Sequence, residues 1–185
     1  MKKIKIFILV IINFLFLSTS FADQPQGMDP KIQHLEEYIA QNPSDAIAIK
    51  DLGNAYLSLG NFDKAIEQYS KAIAINPHPN FYNNRCFAWN NKMELDKALE
   101  DCNTALSLDP GHTFAFINRG NAFYLKREYD KAIADYTKSL KVVPAGDKYN
   151  PPMSHYNRGL AYLRQYKLGL ATADFIKVIE FKFFR

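Results

Sequence analysis

"FDKAIEQYSKAIAINP" occupies Phe62 to Pro77 and returns in altered form as "LDKALEDCNTALSLDP" from Leu95 and "YDKAIADYTKSLKVVP" from Tyr129. A looser fourth copy, "LGLATADFIKVIEFKF", begins at Leu168. In the first copy Phe62, Ala65, Ile66, Tyr69, Ala72 and Ile73 recur at i, i+3, i+4 spacing, which predicts a helix with one buried stripe. Gly60-Asn61 breaks the chain before it, and Pro77 stops it, as Pro110 and Pro144 do in the next two copies. The anchor alanines Ala65, Ala98, Ala132 and Ala171 lie 33, 34 and 39 residues apart, with no strand-like alternation between them. A period near 34 built from helical segments predicts an all-α solenoid of helix pairs.

A second phrase precedes each of the later copies: "YNNRCFAWNN" from Tyr82, "FINRGNAFYL" from Phe116 and "HYNRGLAYLR" from His155. In the first unit the matching stripe is Ile49, Leu52, Gly53 and Tyr56. Gly53 and Ala65 are small where two antiparallel helices must approach closely. With units counted from Ala46, Pro79, Thr113 and Pro152, the pattern resembles the tetratricopeptide repeat family. Unit one carries the family's motif at Ile49, Leu52, Gly53, Tyr56, Ala65, Tyr69, Ala72 and Pro77. Unit three keeps Phe116, Gly120, Phe123, Ala132, Tyr136 and Pro144, with Arg119 and Ser139 as departures. Unit four keeps Gly159, Tyr162, Ala171 and Phe175, with Val178 in place of an alanine and no final proline. The resemblance implies an α-α superhelix of about four helix pairs, repeats at about 46–78, 79–112, 113–146 and 152–185, preceded by one helix. That helix is read in "DPKIQHLEEYIAQNP" from Asp29, with Asp29 as cap, Pro30 in the first turn and Pro43 after the end. It is expected to cover the open side of unit one. "AGDKYNPPM", 145–153, reads as the loop that lengthens the last step.

The N-terminus has a different character. Met1-Lys2-Lys3 precedes an apolar run from Ile6 to Leu17, and Ser20-Phe21-Ala22 supplies small residues for cleavage before Asp23. Residues 1–22 read as a secretory signal peptide, and 23–45 as the N-terminal segment of the mature chain. An uncleaved anchor is the other reading, although the run falls short of the ~20 residues that span a bilayer. The whole chain has 23 Lys+Arg and 19 Asp+Glu; without Lys2, Lys3 and Lys5 the balance is 20 to 19, a formal +1. No basic nucleic-acid surface follows from that balance.

The resemblance also implies a concave groove lined by the first helix of each unit. It places Lys50, Asn54, Asn84, Phe114, Asn118, Asn121, Tyr156 and Asn157 there. Asn84, Asn118 and Asn157 share the sixth position of their units, a row of carboxamides that suits an extended peptide backbone. Equally, asparagine is simply soluble at that position. Lys50, Asn54 and Asn84 match three members of the family's carboxylate clamp, but Phe114 and Asn118 stand where its other cations belong. Arg85, Arg119 and Arg158, at the seventh position, are read as packing residues that bridge to the neighbouring unit. Cys86 and Cys102 occupy the eighth and twenty-fourth positions of unit two. They read either as a disulfide formed in an oxidising compartment or as two buried thiols.

Little else in the chain carries chemistry. His34, His78, His112 and His155 are scattered, two cysteines cannot close a zinc site, and no phosphate-cradling loop or nucleophile elbow occurs. The expectation is a periplasmic or secreted scaffold, not an enzyme, with no metal and no cofactor. It would bind protein or peptide segments and, once the leader is removed, no membrane. The alternative is a structural subunit of an envelope or secretion assembly that self-associates through Phe181, Phe183 and Phe184.

Overall fold

The computed structural model describes residues 29–143 and 150–183. Residues 1–22, expected to be a signal peptide, and Phe184 lie outside them, as does the side chain of Phe183. Among the described residues there are nine helices and no strand: α1 (Pro30–Gln41), α2 (Ala46–Ser58), α3 (Phe62–Ile75), α4 (Pro79–Asn91), α5 (Leu95–Leu108), α6 (Thr113–Leu125), α7 (Tyr129–Val142), α8 (Asn150–Arg164) and α9 (Leu168–Phe183). Helix pairs α2/α3, α4/α5, α6/α7 and α8/α9 stack in chain order, an all-α superhelix. First helices of neighbouring pairs touch one another, α2 with α4, α4 with α6 and α6 with α8, whereas the second helices do not. The first helices therefore line the inner, concave face.

Local chemistry sets the helix ends. Asp29 and Asp45 cap α1 and α2 through side-chain oxygens, and Asn61 caps α3. Gly60 takes φ +72° at the turn between α2 and α3. Met93, Arg127 and Tyr166 hold the same left-handed backbone at the equivalent turns, with φ 61°, 63° and 58°. The segment read as a loop to Met153 is already helical from Asn150. Pro151 and Pro152 sit in its first turn, where a missing N–H costs no hydrogen bond.

Each pair closes on one contact. A Cβ placed on Gly53 would lie 2.6 Å from the Tyr69 ring, one on Gly120 2.6 Å from Tyr136, and one on Gly159 2.7 Å from Phe175. The aromatic ring fills the space that the missing side chain leaves, and both tyrosines are almost fully buried. Unit two solves the same approach differently: Cys86 and Cys102 are bonded, with an S–S distance of 2.07 Å, and both are buried. Closing this 16-residue separation is worth about 3 kcal/mol by the loop-entropy relation. At the N-terminal edge α1 covers unit one with Ile32, Leu35 and Ile39, and Tyr56 Oη donates to Glu36 at 2.7 Å. Burial and that carboxylate push the Tyr56 phenol up to about 12.

The repeated arginines correct the expectation of a bridge only to the neighbour. Arg85, Arg119 and Arg158 each make a two-pronged ion pair within their own unit, to Asp101, Asp135 and Asp174 at 2.7–2.8 Å. The remaining guanidinium nitrogen reaches back to the second helix of the preceding unit, at Ser70, Asn103 and Thr137. One side chain thus ties three helices together. The reason is a carboxylate, buried one residue before the twenty-fourth position, that needs a planar fork. Burial alone would raise Asp174, but the bonds from Arg158 and His155 outweigh it and hold the carboxyl below its ordinary range.

His112 caps α6 in a protonation-dependent way. Its Nδ1 accepts from Ala115 N–H at 3.3 Å, and its Nε2 lies 2.7 Å from Asn80 Oδ1. Burial holds the imidazole below its ordinary value. The neutral ring is therefore the native form, and its contribution to stability is complete above about pH 6.5 and falls as the unfolded chain takes up the proton below that. His112→Asn, which keeps a capping oxygen, should lose less stability than the wild type between pH 7 and 5. Urea denaturation at both pH values measures the difference; equal losses would contradict the assignment.

Candidate functional site: a pocket on the concave face

The tyrosines that fill the helix-pair interface extend their hydroxyls to the groove. Tyr69 Oη donates to Asn54 Oδ1 at 2.8 Å, and Tyr136 Oη to Asn121 Oδ1 at 2.8 Å. Burial pushes both phenols well up, so they remain donors at every working pH. With its oxygen fixed this way, each asparagine accepts a second bond from the next unit: Asn84 Nδ2 to Asn54 Oδ1 and Asn157 Nδ2 to Asn121 Oδ1, both at 3.1 Å. The two constellations are the same Tyr–Asn–Asn relay, two units apart.

They differ in what is left over. In the first, Asn54 Nδ2 donates to Asp51 at 3.3 Å and Asn84 Oδ1 accepts from Asn83 at 3.3 Å. Lys50 lies 2.5 Å from Asp51, which neutralises it. In the second, Asn121 Nδ2 and Asn157 Oδ1 have no partner among the described residues. A donor and an acceptor thus stand open side by side, in the arrangement a peptide unit can answer.

Asn118 departs from the expected carboxamide row. It is buried; its Nδ2 donates to Asn83 Oδ1 at 2.9 Å, and its backbone oxygen accepts from Asn90 at 2.8 Å. The cause lies one unit back. The ninth position of unit two is Phe87, not asparagine, so Asn118 has no relay oxygen to meet and turns inward. Phe114 and Tyr156 are exposed, the latter 6.0 Å from the Phe175 ring, and neither lines the pocket described next.

A cavity of about 260 Å³ opens between α4, α6 and α8. Its walls are Phe87, Tyr124, Leu125 and Leu160, with Asn90, Asn91, Asn121, Asn157 and Tyr136 completing it. No charged side chain lines it. Phe87, Asn121 and Leu160 are the ninth residues of three successive units, and their identities follow from position twenty-four. Where tyrosine offers a hydroxyl, the ninth residue is asparagine. Where Cys102 or Phe175 offers none, it is apolar. Asn90 adds an unusual wall: its Nδ2 is committed to Asn118, and its buried Oδ1 has no partner. Of the expected groove residues Asn121 and Asn157 reach this pocket, and so do Asn90, Asn91, Tyr124 and Leu160, which the repeat count also turns to the groove. Phe87 is a wall residue that the sequence reading lacks, although the absence of a hydroxyl at Cys102 is the available clue to it.

Repeat period, helix pairing and the small-residue contact now agree with the comparisons. Residues 46–79 and 114–145 match the tetratricopeptide repeat profile. The chain belongs to the tetratricopeptide repeat family. Mouse RNA polymerase II-associated protein 3 is 30% identical over 139 residues, 75% of this chain but 21% of that protein. This chain thus spans about a fifth of the length of that relative. MamA 41-end from Desulfovibrio magneticus RS-1 shares the fold, with TM-score 0.69, 19% identity, and 82% of this chain and 83% of that one covered. The first TPR of Spaghetti (RPAP3), solved bound to the HSP90 peptide SRMEEVD, is 28% identical at TM-score 0.54. It covers 69% of this chain and 93% of that one.

If the ninth position obeys the twenty-fourth, unit three's solution can be written into unit two. The variant Cys86→Gly/Cys102→Tyr/Phe87→Asn should fold cooperatively without a disulfide. Its thermal midpoint should be indifferent to reductant, whereas the wild type should lose in reductant the ~3 kcal/mol of stability that the bridge supplies, with a matching fall in midpoint. A variant without helical signal or a cooperative transition would show the two solutions not to be interchangeable.

Proposed function

We propose that this chain is a binding scaffold, not an enzyme, whose concave face holds an extended protein segment with an uncharged apolar side chain seated between α4, α6 and α8. The observation that carries the reading is the open relay beside the pocket: Asn121 Nδ2 and Asn157 Oδ1 uncommitted, Asn90 Oδ1 buried and orphaned. Buried polar groups are normally satisfied, so the orphaned oxygen marks Asn90 as an unusual wall residue, while the two open relay groups are the ones a bound peptide unit can answer. The pocket is about the size of one side chain rather than of a drug-like molecule, which suits a peptide anchor. The relative solved with an HSP90 peptide supports peptide binding on this fold. Grip on a terminal carboxylate through Lys50, Asn54 and Asn84 is disfavoured, because Asp51 neutralises Lys50 and Phe114 and Asn118 add no charge.

The place of action we propose is periplasmic or extracellular. The apolar leader and the Cys86–Cys102 pairing support it, since disulfides persist in oxidising compartments. Alkylation of protein taken directly from cells should leave both cysteines unlabelled; full labelling would count against this location. A second reading, edge-to-edge self-association, draws on the exposed Leu168, Ile176 and Ile179 of α9 and on Phe181, which lies 6.3 Å from His155. It predicts a concentration-dependent sedimentation coefficient in the absence of ligand.

Selection of random peptides on the purified chain tests the main reading. Selected sequences should share one uncharged aromatic or aliphatic residue. Leu160→Asp should weaken them at least tenfold, the cost of setting a charge against a buried apolar group, with the circular-dichroism spectrum unchanged. Selected peptides that bind this variant as well as the wild type would place recognition elsewhere.

A further inference from the structure

The described residues include five arginines. Three, Arg85, Arg119 and Arg158, are consumed by buried aspartates. The other two, Arg127 and Arg164, have no carboxylate partner among the described residues, and both line the same cavity of about 310 Å³ with Tyr124, Leu125 and Tyr129. The acids that follow Arg127 in the chain are already engaged: Glu128 pairs with Lys131 at 2.5 Å, and Asp130 accepts from Gln165 at 2.9 Å and lies 4.0 Å from Lys167. Arg164 is also held in place, its Nε donating to Tyr124 Oη at 3.0 Å. The C-terminal dipole of α8 accounts for one cation at Arg164. The end of α6 likewise favours a cation at Arg127, two residues beyond Leu125, but neither dipole explains why the two guanidinium groups line one cavity.

Tyr124 and Leu125 line this cavity and also the apolar pocket, so the two are neighbours that share a wall. We propose that Arg127 and Arg164 form a carboxylate subsite that binds an aspartate or glutamate side chain flanking the apolar anchor of the bound segment. The inference rests on the peptide-binding reading and adds a charge requirement to it. The recognised element is a neutral apolar residue followed or preceded, within the few residues that join the two cavities, by an acid. A guanidinium pair matches a carboxylate in charge and in planar geometry. The site is distinct from Lys50, Asn54 and Asn84, which lie at the other end of the groove.

A panel of fluorescein-labelled, end-capped heptapeptides tests it. Each carries one central tryptophan, with a single glutamate moved through the flanking positions, and glutamine at the same place as its control. Binding is read by anisotropy at two ionic strengths. In at least one register the glutamate peptide should bind about tenfold more tightly than its glutamine control, and added salt should narrow the gap. Arg127→Gly suits the left-handed backbone and so keeps the fold; it should erase most of the preference while leaving the glutamine peptides unaffected. Arg164→Gln should do the same. Tryptophan peptides that bind with no glutamate preference in any register would overturn the carboxylate subsite and leave the pocket reading standing. Failure of every peptide to bind folded protein would overturn both. A phosphoserine peptide preferred tenfold over its glutamate counterpart would overturn the assignment to a carboxylate.

Discussion

The contact between a residue without a side chain and an aromatic ring governs this molecule. At Gly53, Gly120 and Gly159 the first helix of a pair comes so close to the second that a single methyl group would collide with Tyr69, Tyr136 or Phe175. That approach sets the angle within each pair. The buried arginine–aspartate forks then set each pair against the one before it. The burial of the ring also has a consequence on the far side of the helix. A tyrosine there must place its hydroxyl, and the nearest acceptor is the asparagine one residue past the glycine. The packing requirement of the core is in this way transmitted to the groove.

The groove inherits an irregular pattern from that rule. Units one and three, with tyrosine, present carboxamides. Units two and four, with cysteine and phenylalanine, present Phe87 and Leu160. An amide framed by two apolar residues is a pocket, and it lies where the relay is open. The same rule explains why the first relay is a poor site: Asp51, Asn83 and Lys50 answer its polar groups from within the protein. Two arginines without aspartates then lie beside the pocket rather than beside the saturated relay.

Much of the fold was legible because repetition multiplies weak evidence. One helical stripe such as Phe62–Ile73 could be misread; four in register at Ala65, Ala98, Ala132 and Ala171 could not. The bounds of α8 were less legible, since Pro151 and Pro152 read as loop residues although prolines are welcome in a first turn. The site was legible only in part. Asn121 and Asn157 follow from their place on the inner helix, but Asn118 shares its position with Asn157 and is buried. What separates them is the ninth residue of the preceding unit, Phe87 for one and Asn121 for the other, a dependence across units that single-unit counting does not see. The arginines' reach to the neighbouring unit follows from their position, but their main partners Asp101, Asp135 and Asp174 lie 16 residues on within the same pair, a spacing that only the paired helices bring together.

Recognition at the pocket depends on the inequality of the two relays. Side-chain amide resonances of Asn54, Asn84, Asn90, Asn121 and Asn157, followed by ¹⁵N correlation spectroscopy during titration with a tryptophan-anchored peptide, test it most directly. Shifts are expected at Asn90, Asn121 and Asn157, with Asn54 and Asn84 unmoved. Shifts at Asn54 and Asn84, with Asn121 and Asn157 silent, would contradict it and return recognition to the Lys50 end of the groove.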